Sequence, residues 1–343
     1  MRILKQLSEA MGVSGDEREV RRLILDLIEP HVDQIETDTL GNVFALKKGT
    51  GRRRLKVMVD AHMDEVGFMV TGYDSSGALK VEAIGGLDDR VLLAKRVLVG
   101  PDKIPGVIGV KPVHLLNGGE RDKVVKLSSM RVDIGVTSKD AAKGKVKLGT
   151  RIGFDTKLAD LGGAVRGKAF DDRAGCAVLV RLLQGDPFPC DLYGVFTVQE
   201  EVGLRGARVA AHRVDPDAAF VLEGTICDDL PKEDDVSPTT ELGKGPALSV
   251  MDRSVIYDPR LNKLLVDAAE EAGIPYQFKQ PGVGGTDAGS INRALAGVPV
   301  AAVSAPCRYI HSPAAILSKS DYRNAVKLMH AALERLDRNV LKR

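Results

Sequence analysis

From about residue 166 onward the chain alternates short apolar runs with longer helical patterns, and that alternation narrows the fold more than any other feature. "DDRAGCAVLVRLLQG" (171–185) reads as a helix closed by Gly185. "DPRLNKLLVDAAEEAG" (258–273) and "SKSDYRNAVKLMHAALERLDRNV" (318–340) read as two more, while "LYGVFTV" (192–198), "AAFVLEG" (218–224) and "VPVAAVSAP" (298–306) read as strands. Strands joined through helices line up parallel with the helices over their faces, because a parallel pair needs a long crossover. The expected class is α/β, a mostly parallel sheet flanked by helices.

The first third of the chain fits the same plan. Residues 2–29 read as two amphipathic helices around "GVSGDE", with Ser14 placed to cap a helix beginning near Asp16. In "LKVMVDAHMDEVGFMV", Leu55, Val57 and Val59 alternate with Lys56, Met58 and Asp60, a half-buried strand that runs into His62 and Asp64. Between about 66 and 165 the texture changes to short β-rich segments separated by Gly, Pro and charged turns, such as "VLVGPDKIPGVIGVKPV" and "KGKVKLGTRIGF". The expected organisation is therefore one discontinuous unit, 1–65 with 166–343, carrying a small β-rich insert at 66–165.

Charge and composition exclude some partners. With 49 basic and 47 acidic residues the net charge is +2, so no global field favours nucleic acid or an anionic membrane. No apolar run reaches the roughly 18 residues of a membrane span, and "MRILKQLSEAMGVSG" lacks a signal-peptide core. Cys176, Cys190, Cys227 and Cys307 lie far apart without C-x-x-C spacing, which reads as reduced thiols of a soluble, cytoplasmic protein.

Ligands of open α/β sheets bind beyond the carboxyl ends of the strands, so the residues following each strand carry the functional signal. After Val59 and Asp60 come His62 and Asp64; after "GVFTVQ" come Glu200 and Glu201; after "FVL" comes Glu223; after "VAAVSAPCRYI" comes His311. Asp171 and Asp172 stand at the start of the first helix after the insert. Each signal alone has a plain reading: Asp171 or Asp172 as a helix cap, His62 as a core histidine, Glu223 as a turn residue, His311 as ordinary loop. Together, two imidazoles and several carboxylates at one sheet edge would repel as anions without cations among them, and the ligand mix suits zinc or cobalt.

"AHMDEVGF" (61–68), "AFDDRAG" (169–175), "TVQEEVGLRGA" (197–207), "VLEGT" (221–225), "GGTDAG" (284–289) and "RYIHSP" (308–313), in that order, resemble the tetrahedral (TET) aminopeptidases, dinuclear metallopeptidases that include glutamyl and deblocking aminopeptidases. The resemblance covers essentially the whole chain. It implies a catalytic α/β domain with a PDZ-like dimerisation insert, two divalent ions per subunit (zinc or cobalt, with manganese a third option), short peptides as substrates, and a homo-oligomer built from dimers, often a hollow dodecamer. It further implies that His62, Asp171 and Glu223 hold one metal and Asp171, Glu201 and His311 the other, with Asp171 bridging. Glu200 becomes the general base acting on a metal-bridged water. Many relatives carry Asp where this chain has Glu223. Asp64 fits the role of orienting a ligand imidazole. Thr286 and Asp287 border the substrate pocket, although Asp287 serves equally well as a helix N-cap.

Two other functions compete. A glycosidase also uses paired carboxylates, but about 5–9.5 Å apart across a sugar ring, and a chain with no Trp and 4% aromatics is poor material for a sugar-stacking cleft. A non-catalytic metal-binding scaffold would be favoured only if Glu200 were missing.

Overall fold

The structure, a computed structural model, describes residues 1–230, 238–282 and 284–342. Its larger sheet runs from edge to edge through Gln34–Thr37, Val43–Lys47, Asp191–Thr197, Lys56–His62, Ala218–Cys227, Val300–Arg308, Ala315–Ser318, Ala164–Gly167 and Ala159–Asp160. Asp191–Thr197, Lys56–His62, Ala218–Cys227 and Val300–Arg308 are mutually parallel and form its centre. The outer pairs are antiparallel, so the sheet is mixed, with its parallel character confined to the middle. Hairpins account for the edges: Asp38 accepts from the backbone N–H groups of Gly41 and Asn42, turning Gln34–Thr37 back onto Val43–Lys47.

Burial follows from this layering. The helix Phe170–Gln184 is apolar on nearly every side because it lies against the sheet and beneath both the first helix, Arg2–Glu9, and the last, Lys319–Arg335. Val57, Val59, Leu179, Leu183, Phe196 and Phe220 are fully buried in the core on this face. On the other face Met58, Val195, Ala219 and Val221 pack against the helices Arg205–Val214 and Asp287–Asn292. Asp258 caps the helix Pro259–Glu271 through the Arg260 N–H, and Ser318 caps the last helix through the Asp321 N–H.

Gly67–Tyr73, Leu79–Ile84, Val132–Asp133, Ile104–Ile108, Arg96–Val99 and Arg151–Phe154 close, in that order, into a separate six-stranded barrel. Its own core contains Phe68, Val70, Val97, Ile152 and Phe154, with the Phe68 and Phe154 rings edge to face at 5.6 Å. Ala159–Asp160 and Ala164–Gly167, which the β-rich texture groups with the insert, pair instead with the large sheet. Among the described residues no helix is long and apolar enough to cross a membrane.

Two local expectations change. The second helix, Arg18–Ile28, has Glu17 at its N-cap position and no side-chain cap. Ser14 does not cap it; its hydroxyl donates to Asp64 Oδ2 at 2.6 Å, a stronger acceptor brought in from the turn that follows the strand Lys56–His62. Likewise Asp287 is the first residue of its helix rather than the cap, and its carboxylate is engaged elsewhere.

Candidate metal centre

Parallel register brings the strand ends to one edge: Thr197 stands level with His62, and Glu223 with Ser304. The loop Gln199–Leu204 then folds back over that edge, with Gln199 at φ 58° and Leu204 at φ 56°, while Tyr309 and His311 are left-handed at φ 59° and 57°. Such backbone is uncommon for residues with a Cβ and clusters here around one point.

Asp171 occupies that point. Its Oδ1 lies 3.3 Å from His62 Nε2 and its Oδ2 lies 3.2 Å from His311 Nε2, so one carboxylate faces two imidazoles with different oxygens. Glu223 Oε2 is 3.6 Å from His62 Nε2. Glu201 Oε1 is 3.2 Å from His311 Nε2, without hydrogen-bond geometry. Glu200 Oε2 stands somewhat farther back, 3.9 Å from His62 Nε2. The ligand atoms of His62, Asp171 and Glu201 lie within 4.8 Å of one another, and so do those of His62, Asp172 and Glu223.

Asp64 organises the set from behind. Its Oδ1 lies 3.4 Å from His62 Nδ1 and accepts from the Glu200 N–H at 3.0 Å; its Oδ2 accepts from the Glu201 N–H at 3.2 Å. One buried carboxylate thus sets the His62 ring and the backbone of both glutamates. Burial works against its charge, but the bonds from His62, Ser14 and Glu200 outweigh this and hold its pKa below the usual range. His311 is oriented in the same way by Nδ1, 3.0 Å from the carbonyl of Gly86, a residue of the stretch read as the insert.

The electrostatics are unbalanced. Burial, reinforced by Asp287, Glu201 and Asp171 and opposed by His62, pushes Glu200 well above the ordinary carboxylate range. Glu223 is raised in the same way, by burial and then by Glu200, Asp172 and Asp171 against the opposing pull of His62. Burial opposes charge on His311, yet Asp171 and Glu201 raise it to about 11. The imidazoles are drawn toward protonation because the carboxylates need more positive charge than the chain supplies. Glu223 Oε1, Glu201 Oε1 and Asp172 Oδ2 are buried without a hydrogen-bond partner among the described residues. Imidazole nitrogens, facing carboxylate oxygens and orphaned acceptors in one cluster are the donor set of divalent cation sites, and the residues fit such ions.

The nine residues singled out by sequence divide. His62, Asp171, Glu200, Glu201, Glu223 and His311 converge, and Asp64 supports them from beneath. Above them is a cavity of about 480 Å³, and Thr286 lines it. Asp287 turns away from it: it is fully buried and accepts from Thr197 Oγ1 at 2.7 Å. Asp172, which received no role of its own, brings an oxygen to the cluster and gives its other oxygen to the Gly175 N–H at 2.8 Å. The Gly86 carbonyl carries no side-chain signal that a sequence reading could have found. Ser14 carried only a misleading capping signal.

A mixed sheet with this cluster at its edge and a six-stranded barrel beside it is the architecture of a peptidase class. The TET aminopeptidase of Thaumarchaeota archaeon SCGC AB-539-E09 superposes with a TM-score of 0.93 at 40% identity, covering 99% of this chain and 97% of that one. The TET1 peptidase of Pyrococcus horikoshii, described as assembling into a tetrahedron or a large octahedral shell, matches with a TM-score of 0.86 at 33% identity over 98% and 99% of the two chains. Among curated proteins, a putative aminopeptidase of Acetivibrio thermocellus is 42% identical over 96% of this chain and 97% of its own length. The lysyl aminopeptidase of Pyrococcus furiosus is 34% identical over 97% and 96%. Residues 41–328 match the M42 glutamyl aminopeptidase family, and the chain belongs to that peptidase family.

Proposed function

We propose that the chain is a divalent-metal-dependent aminopeptidase that removes N-terminal residues from short peptides. The observation that carries this reading is the single carboxylate of Asp171 set between two imidazoles, 3.3 Å from His62 and 3.2 Å from His311. His62, Asp171 and Glu223 would hold one cation, and Asp171, Glu201 and His311 the second. Zinc, cobalt or manganese would serve. Two such ions, when bound, acidify an attacking water and polarise the scissile carbonyl.

The chain's own residues do the rest. Asp64 keeps the His62 ring and the Glu200–Glu201 backbone in place. Glu200, held farther from His62 than Asp171 or Glu223 and with a raised affinity for protons, takes the proton of the water and passes it to the leaving amine. Thr286 shapes the wall against which the substrate lies. A glycosidase would need two carboxylates free to act across a sugar, whereas Asp171, Glu201 and Glu223 all face imidazole nitrogens.

We further read the six-stranded barrel, residues 67–154, as an insert that drives self-association and the large-sheet unit on either side of it as catalytic, giving a dimer-built particle, a dodecamer, in the cytoplasm. Dialysis against a strong chelator should abolish release of N-terminal residues, and added zinc, cobalt or manganese should restore it. Peptidase activity that survives exhaustive chelation overturns the metal mechanism. A stable monomer in light scattering at micromolar concentration overturns the assembly.

A further inference from the structure

The stretch "MDRSVIYDP" (251–259) belongs to none of the strand-end motifs, and it folds into a turn organised by one carboxylate. Asp252 Oδ1 accepts from the Ser254 N–H at 2.6 Å, the Ser254 hydroxyl at 2.8 Å and the Val255 N–H at 3.0 Å, as short polar side chains do in tight turns. Its Oδ2 takes two further hydroxyls, that of Tyr257 at 2.7 Å and that of Thr286 at 3.4 Å. Asp252 is 6% exposed and Tyr257 3%, so these bonds are made away from water, where they are stronger.

The turn grips the segment that lines the cavity over the Asp171 cluster. Gly284, Gly285 and Thr286 belong to that wall, together with Glu200 and Glu223. The Arg253 N–H donates to the Gly284 carbonyl at 2.9 Å, and the Thr286 N–H donates to Ser254 Oγ at 3.3 Å. A Cβ on Gly289 would stand 2.4 Å from Ser254 Oγ, and one on Gly285 would stand 3.2 Å from Ser254 Cβ. The glycines of "GGTDAG" are thus what lets the two segments touch.

Thr286 stands at the N-cap position of the helix Asp287–Asn292, where a threonine hydroxyl ordinarily accepts from a backbone N–H, but it makes no such bond. Its Oγ1 lies 3.0 Å from Tyr257 Oη instead. A phenol has one hydrogen, and Tyr257 gives it to the Asp252 carboxylate, the stronger acceptor. Burial and the neighbouring Asp252 keep that phenol protonated well beyond its ordinary range. Thr286 is therefore the donor toward Tyr257, its hydrogen is turned into the protein, and it has only acceptor capacity left for a ligand.

We propose that Tyr257 and Asp252 are positioning residues for the substrate, holding Thr286 as a fixed acceptor in the cavity wall for an N–H of the peptide main chain. The inference rests on the peptidase reading above and adds to it how the peptide is held. A hydroxyl already oriented loses no rotational freedom when the peptide arrives. The contact lies on the wall rather than at the reacting atoms, so it favours substrate and transition state alike, and its loss shows in KM rather than in kcat.

The test uses the metal-loaded full chain and a panel of tripeptides with free N-termini, with KM and kcat read on the one cleaved fastest. Thr286→Val keeps the shape of the wall and removes the acceptor. It should raise KM about 3- to 10-fold, the worth of one ordinary hydrogen bond, with kcat close to that of the wild type. Tyr257→Phe should raise KM over the same range, and in a Thr286→Val background it should raise KM no further. Ser254→Ala, which frees the Thr286 N–H, should shift KM in the same direction. A merely structural role would reduce the active fraction, lowering kcat at constant KM. Unchanged KM in Tyr257→Phe, or effects that add in the double variant, overturns the inference and leaves the peptidase reading standing. If Tyr257→Phe does not fold, Ser254→Ala decides, and an unchanged KM there overturns the inference. If the wild type cleaves none of the peptides, the peptidase reading falls and takes the inference with it.

Discussion

Residues 62–65 and 168–173 feed two neighbouring clusters of buried charge that solve the same problem differently. In the first, Glu65 meets Lys168 Nζ at 2.6 Å and Arg173 Nη2 at 3.1 Å. Arg173, fully buried, also donates to the carbonyls of Met63 at 2.8 Å and Leu7 at 2.6 Å, tying the first helix to the sheet. Its donors find acceptors and its acceptors find donors. In the second cluster, two or three residues away along each segment, His62 and Asp171 join Glu200, Glu201, Glu223 and His311, and acceptor oxygens are left over. A charge cluster that balances itself holds a fold together, and one that does not is built to receive something. The two readings make opposite predictions for what a neutralising substitution will do.

The largest expected effect is on rate, within the unbalanced cluster. Glu200→Gln should lower kcat by about 10²–10⁴, the usual scale of general-base catalysis, while both metals and the fold remain. Its neighbour should behave otherwise: if Glu201 is a ligand, as proposed, Glu201→Gln should lose metal. Elemental analysis beside kinetics decides between them. Two metals per subunit in the Glu201 variant, or nearly full activity in the Glu200 variant, would mean that the two roles are reversed or misplaced.

The balanced cluster should respond in stability. Glu65→Ala leaves the ammonium of Lys168 and the guanidinium of Arg173 without their shared carboxylate, and removes the acceptor of the Gly12 N–H. Breaking one partner out of a buried ion pair typically costs about 3–5 kcal/mol, and urea denaturation should show a loss on that scale. A loss below about 1 kcal/mol would mean that the network tolerates an unpaired charge, and the contrast between the clusters would collapse.

The smallest effect tests a carboxyl beside Asp64. Burial, with a further push from Asp64, raises Glu17 to about 7. A carboxyl raised in the folded state contributes stability that is full below its unfolded pKa, near 4.5, and is lost as pH climbs through about 7. Glu17→Gln can still accept from the Gly15 N–H and never ionises. The variant should therefore gain about 1–3 kcal/mol relative to wild type between pH 5 and pH 8, read from denaturation midpoints at the two pH values. A difference that stays flat with pH would place Glu17 outside this electrostatic field.

Much of the design is legible along the chain because it is local. Alternation at Leu55, Val57 and Val59 reports a strand whether or not its neighbours are known, and the parallel sheet rule then says where its end must work. That logic picks out His62, Glu200, Glu201, Glu223 and His311 as strand-end residues, and the motif resemblance assigns Asp171 its place between the imidazoles. The texture of 66–165 signals a change of architecture, though not that Ala159–Asp160 and Ala164–Gly167 return to the large sheet, since pairing partners are chosen across the fold. Side-chain partnership is decided the same way. Ser14 has the sequence of a helix cap and donates instead to a carboxylate 50 positions on. The Gly86 carbonyl reaches His311 across 225 positions. Periodicity determines which element a residue joins and which face it takes; which groups lie within 3 Å of one another depends on how those elements cross, and that is settled only when the chain has folded.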